Sequence, residues 1–163
     1  MSEPGDTPWP AAELGPLRRL RVIAGTAKNP VCAEHYFDVA PERLWGVVSD
    51  LERELPQLLP RLRSFTPQRP SGERFDAVAV STLGHRENFQ VLLKPGWCLM
   101  QSKLLLGAMA AEPEGTGTRF AFLSGYRFPG GGSVQALRRV GAESRSSALF
   151  ERLRRRIEAR DES

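Results

Sequence analysis

The chain is poor in the residues that build covalent and metal frameworks. It has two cysteines and two histidines in 163 residues. Cys32 and Cys98 lie far apart, so no disulfide framework is expected; both read as free thiols in a reducing compartment. The two histidines and two cysteines lack ligand spacing, and no metal is expected. No glycine-rich phosphate loop and no nucleophile elbow occurs. "GTGTR" at residues 115–119 resembles a hairpin turn because no helical pattern follows it. No cofactor is therefore expected. Lysine is scarce too, with Lys28, Lys94 and Lys103 the only examples.

Long apolar runs are also missing. None approaches the roughly 20 residues of a membrane span, and association with a membrane is not expected. The opening "MSEPGDTPWP" is acidic and proline-rich, without a charged-then-apolar leader pattern. A cytoplasmic location is the expectation. The formal net charge is +4, but bases and acids are interleaved except near the end, which argues against nucleic acid as a partner. The tail "ERLRRRIEARDES" reads as a solvated helix face, since Glu151, Glu158, Asp161 and Glu162 accompany its arginines.

What remains is an ordinary globular composition, 40% hydrophobic and 26% charged, of a length that fits one domain. Residues 1–30 carry prolines at 4, 8, 10, 16 and 30 and are expected as a flexible N-terminal extension, although "AAELGPLRRLRVIAG" has enough apolar residues for a short helix or an extra strand. The domain proper is expected over 31–163. "VCAEHYFDV" alternates as a strand, with Ala33, His35, Phe37 and Val39 on one face. "APERLWGVVSDL" follows as a helix. Pro41 suits its first turn, Glu42 suits its positive end, and Leu44, Trp45, Val47, Val48 and Leu51 form its apolar stripe. "ERELPQLLP" reads as a second short helix, with Pro56 as an early-turn proline and Pro60 as its stop.

Beyond Pro60, short β-rich runs alternate with turn signals. The runs are "RLRSFTPQ", "RFDAVAVSTL", "NFQVLLK", "CLMQSKLL", "GAMAAEPE" and "TRFAFLSGYRF". One strand before the helices and six after them predict an antiparallel meander. The last strand puts Phe120, Phe122, Ser124, Tyr126 and Phe128 on one face, which alternation assigns to the interior. A final helix is expected from "SVQALRR" to "RIEAR", capped by Ser133 and kinked near Gly141. Leu149, Phe150, Leu153 and Ile157 form its apolar stripe.

This order resembles the START-like superfamily, also called SRPBCC, of polyketide cyclase/dehydrase and lipid-transport proteins. "VAPERLWGVVSDLERELPQLLPRLRSF" carries the likeness through Pro41, Glu42, Leu44, Trp45, Ser49, Asp50 and Pro60, supported by "GTGTRFAFLSGYRF" and "ALFERLRRRIEA". "LPQLLP" departs from it by placing leucines where relatives often carry tryptophans. The resemblance implies an α+β helix-grip fold: a curved seven-stranded antiparallel sheet, two short helices, and a long C-terminal helix over a cavity. The expected partner is a hydrophobic small molecule, either a lipid, a polyketide or an aromatic compound. Phe37, Trp45, Gln101, Phe120, Phe122, Ser124, Tyr126, Ala142, Ser146 and Leu149 would line its site. A filled core is the plainer alternative.

Three functions follow for comparison. The first is a carrier or sensor. The second is an enzyme resembling polyketide aromatase/cyclases, with His35 moving protons and Tyr126 polarising a carbonyl. A lone strand histidine is more often a core or rim residue, and Tyr126 is equally placed to reach a pocket edge. The third is a protein-interaction module, supported only by the N-terminal segment and the arginine-rich tail.

Overall fold

The computed structural model describes residues 15–69, 72–127 and 142–162; the side chains of 28, 29 and 142–145 fall outside that description. The order is α1 (Pro16–Thr26), β1 (Lys28–Phe37), α2 (Pro41–Val48), α3 (Leu51–Leu58), β2 (Leu62–Gln68), β3 (Arg74–Ser81), β4 (Arg86–Lys94), β5 (Trp97–Gln101), β6 (Leu105–Glu114), β7 (Gly117–Tyr126) and α4 (Ala142–Asp161). The strands form one curved antiparallel sheet in the order β1-β7-β6-β5-β4-β3-β2. This is the α+β helix-grip architecture.

Local sequence explains most of these elements. Pro41 opens α2, with Glu42 in the first turn. Leu44, Val47 and Val48 are its buried stripe. Pro95–Gly96 reverses the chain between β4 and β5 in two residues. Gly96 has φ of 76°, a conformation that costs glycine little. The β5–β6 reversal has no glycine. There the Ser102 hydroxyl oxygen accepts from the N–H groups of Leu104 and Leu105, at 3.2 and 2.9 Å, a side-chain mimic of a turn. This turn divides the expected strand "CLMQSKLL" at Ser102, and its last residue, Leu105, opens β6.

Pro56 is likewise displaced from expectation. Helix α3 starts at Leu51, so the proline falls inside the helix rather than in its early turn. Its absent N–H leaves only one intrahelical bond unmade, in a helix of just eight residues. The expected Ser133 cap and Gly141 kink, and Phe128, lie outside the described residues.

Two apolar layers sandwich the sheet. On the inner face, α2, α3 and α4 meet Phe37, Phe65, Ala77, Val91, Cys98, Met109 and Phe120. On the outer face, Leu17 and Leu20 of α1 sit on Trp97, Leu106, Ala108, Ala110, Ala121 and Leu123. Residues 15–30, expected within a flexible extension, thus hold a packed helix and the start of β1. The reason is steric and apolar. Alanines at 108, 110 and 121 leave a shallow platform, and Leu17, Leu20, Ile23 and Ala24 recur on one helix face above it. Burying the two leucines stabilises the contact by about 3–6 kcal/mol.

Polar contacts fix the register of α1. Its N-cap Gly15 provides no side chain, so Glu112 on β6 accepts from the Leu17 N–H at 3.1 Å instead. That carboxylate also meets the positive end of the helix. A Cβ on Gly15 would lie 2.3 Å from Glu112 Oε1, so a side chain there would displace the Glu112 carboxylate from its capping position. Arg21 donates to both carboxylate oxygens of Glu34 on β1, at 2.7 and 3.1 Å. The Arg19 guanidinium lies 5.2 Å from the centre of the Trp97 ring.

Candidate functional site

The inner face of the sheet grades from sealed to open. At the end covered by α2 and the last turns of α4, Leu44, Val48, Leu153 and Ile157 are fully buried with Phe120. Further along the same strands the inward residues become accessible. Ala33, Phe122, Ser124, Tyr126, Gly107 and Leu105 are half-buried, and His35 is exposed. The inward residues of β1, β7, β6 and β5 carry no charge among the described side chains. This open, uncharged stretch of sheet beside α4 is the candidate site.

Phe150 of α4 organises its sealed side. Its ring centre lies 5.0 Å from His35 in a stacked arrangement, 5.6 Å from Phe122, 6.1 Å from Phe37 and 6.3 Å from Phe120. The contacts to the three phenylalanines are edge-on, the geometry that ring quadrupoles favour. Helical spacing explains how the residue gets there. Leu149, Phe150, Leu153 and Ile157 recur on one face of α4 and are all buried. Two flexible thioethers, Met100 and Met109, lie on the same inner face and give its floor adaptable shape.

The expected site residues divide into four groups. Phe122, Ser124, Tyr126 and His35 line the open stretch. Phe37, Phe120 and Leu149 are buried within the sealed layer and Ser146 is buried near the start of α4, while Trp45 is half-buried against the inner core from α2. Gln101 is placed elsewhere. It pairs with Gln90 and Leu106, and its neighbour Met100 is the one that faces the inner core. Alternation along β5 therefore turns Gln101 to the outer face. Ala142 begins α4, but its side chain lies outside the described residues.

The two expected catalytic groups are not brought together. His35 pairs with Phe120, whereas Tyr126 lies six residues further along β7, about 20 Å at strand spacing. Among the described residues His35 has ring contacts to Phe37 and Phe150 and no hydrogen-bonding partner to orient it. Phe150, Met100, Met109 and Gly107 are site residues that strand-by-strand reading passed over. Phe150 was the findable one, because it stood in the recognised apolar stripe as the only aromatic. Gly107 leaves space in the floor; a Cβ there would lie 3.5 Å from the Met100 methyl.

Beneath the site, a polar clamp holds α4. Glu54 of α3 is fully buried. It accepts from Arg156 at 2.7 and 3.1 Å, and from Arg160 at 3.1 Å. Arg160 also donates to Asp50 at 2.5 Å and to the Gly46 carbonyl at 3.1 Å. Burial pushes the Glu54 carboxyl up, but hydrogen bonds and charge from Arg156 and Arg160 outweigh it and hold the group below its ordinary value. The clamp sets where α4 crosses the sheet, and hence where Phe150 sits. Cys98, buried on the inner face, has its thiol pushed up to about 12 by burial, which makes it an inert packing group.

No family model and no curated protein matches the sequence. Solved structures do match the fold. TTHA0849 from Thermus thermophilus is 22% identical with a TM-score of 0.59, over 80% of this chain and 97% of that one. The di-domain ARO/CYC protein StfQ from the steffimycin biosynthetic pathway is 10% identical with a TM-score of 0.65. The match covers 88% of this chain but only 55% of StfQ. Ara h 8.0201 is 13% identical with a TM-score of 0.55, over 80% of this chain and 97% of that one. At these identities the likeness establishes the fold alone: those structures share the helix-grip architecture described above.

Proposed function

We propose that the chain binds an apolar small molecule, planar or lipid-like, against the open stretch of its inner face, and serves as a carrier or sensor. One observation carries this reading. An exposed imidazole is stacked on Phe150 at the border of an uncharged aromatic wall. Such a wall offers dispersion and apolar burial to a flat or flexible hydrocarbon and nothing to an ionic ligand. His35, Ser124 and Tyr126 supply the few polar contacts that would orient the ligand.

Native mass spectrometry of the freshly purified chain, followed by organic extraction, tests the reading directly. A stoichiometric apolar passenger is expected, or saturable one-to-one uptake of long-chain lipids or polycyclic aromatics by the apo protein. Phe122→Ala should weaken that uptake roughly tenfold or more. Gln101→Ala, on the outer face, should leave it unchanged. Absence of saturable uptake of any apolar class, or indifference to Phe122→Ala, would overturn the proposal.

The likeness to StfQ, named as an ARO/CYC protein, supports a second reading, in which the same wall holds a reactive polyketide chain for cyclisation. Here His35 would act alone in proton transfer, since Tyr126 lies too far along β7 to share one reacting carbon. Binding in a productive conformer would supply much of the acceleration. This reading falls if His35→Ala leaves turnover of accepted substrates intact.

A further inference from the structure

We infer that the end of the sheet bearing the β3–β4 and β5–β6 turns is a docking surface for an anionic lipid bilayer. The antiparallel order puts these two turns, the start of β2 and the end of β7 at one end of the molecule. The α3–β2 junction is tied to the β3–β4 turn, because the Thr82 N–H donates to the Arg61 carbonyl at 2.9 Å. Apolar side chains project from this end. Leu83, on the β3–β4 turn, is 85% exposed; Leu104 on the β5–β6 turn is 48% exposed, and Leu59 beside the junction 37%.

Among the described residues, the charge around these leucines is of one sign. Arg61, Arg63, Arg86, Lys103 and Arg127 are all exposed there. Residues 59–64, 81–86 and 102–105 contain no aspartate or glutamate. Glu87, the next residue in β4, pairs with Ala79, which faces the inner core. Five fixed positive charges thus gather at one end of a chain whose whole formal net charge is +4, so the remainder is close to neutral. Arg127 is held in place by its bond to the Ser102 carbonyl at 2.6 Å.

A leucine raised on a tight turn suits the soft boundary between headgroups and acyl chains, and the encircling cations suit anionic headgroups. No described helix is long and apolar enough to cross a membrane, so contact is at the surface. The expectation of no membrane association rested on the absence of a span, which does not bear on such docking. The inference stands whether or not the inner face holds a ligand.

The test is co-sedimentation of the full chain with phosphatidylcholine vesicles, with and without phosphatidylserine, at low and high salt. Binding is expected only with phosphatidylserine, and should weaken with salt. Leu83→Asp should reduce it on the order of tenfold, and Arg61→Ala or Arg86→Ala roughly fivefold each. Val22→Asp, at an exposed apolar position on α1, should change nothing. Leu83 is so exposed that its replacement leaves the core intact, which an unchanged melting temperature would verify. Three results would overturn the inference: no binding to anionic vesicles, binding indifferent to Leu83→Asp, or binding abolished equally by Val22→Asp. Retention on an acidic polypeptide, insensitive to Leu83→Asp and without vesicle binding, would assign the surface to a protein partner instead.

Discussion

Replacing Glu54 with glutamine tests whether the clamp between α3 and α4 stabilises the fold. The carboxylate is fully buried, whereas Arg156 and Arg160 keep side-chain exposures of 27% each. Removing one partner of a buried pair costs about 3–5 kcal/mol when the other charge is stranded. Here the arginines can turn toward water, and Arg160 retains Asp50. The expected loss is therefore near the bottom of that range, about 3 kcal/mol. For a domain of this length that corresponds to a fall in Tm of roughly 6–12 °C.

The pH dependence supplies the sharper check. Because Glu54 is held below its ordinary value of 4.5, the unfolded chain binds the proton more readily than the folded one. The clamp's contribution is thus fully present above about pH 4.5 and is lost as pH falls through the lower folded value. Thermal melts of the wild type and Glu54→Gln, followed by circular dichroism from neutral pH downward, should show two curves that converge in acid. A difference in Tm that stays constant over the whole range would refute the assignment, as would a difference of less than about 2 °C near neutrality.

Two further predictions concern α1 and the thiols. Glu112→Ala should remove the borrowed helix cap at a cost of about 1 kcal/mol, while Leu20→Ala should cost about 2–5 kcal/mol by opening the outer layer. Hydrogen exchange should locate both losses in α1 and β6, and an α1 that exchanges freely in the wild type would contradict the packing described. A thiol reagent at mildly alkaline pH should modify one cysteine per native chain. Cys32 is exposed, although burial of its sulfur and the nearby Glu34 raise its pKa against the lowering effect of Arg21. Cys98 should react only after unfolding, and rapid native labelling of both would contradict its enclosure.

Much of the inner layer was legible because alternation and helical spacing are local. β7 declares its aromatic face in ten residues, and the stripe of Leu149, Phe150, Leu153 and Ile157 declares the buried face of α4. Features that depend on distant partners were not legible. Glu54 stands in a charge-rich helix, and its burial is made tolerable by Arg156 and Arg160, 102 and 106 residues away. Glu112 caps a helix 95 residues earlier in the chain. Leu17 and Leu20 sit among prolines and arginines, and their packing requires alanines from β6 and β7. Gln101 was expected at the site as a mid-strand polar residue, but which face of β5 turns inward is decided by its pairing with β4 and β6, which its own sequence does not carry. His35 and Tyr126 both face inward as expected, but the separation between them depends on strand register, which single-strand patterns do not encode.

The placement of α1 gives the sheet uneven compliance. Among the described residues, β1, β7, β6 and β5 are packed on both faces, between α1 and the inner layer, while β2, β3 and β4 have helices on one side only. Bending fluctuations of the sheet therefore fall mainly on the singly covered half. One wall acts as an anvil and the other as a spring. If an apolar ligand binds as proposed, it would be accommodated by outward bowing of β2–β4, with the aromatic wall around Phe122 and Phe150 holding its shape.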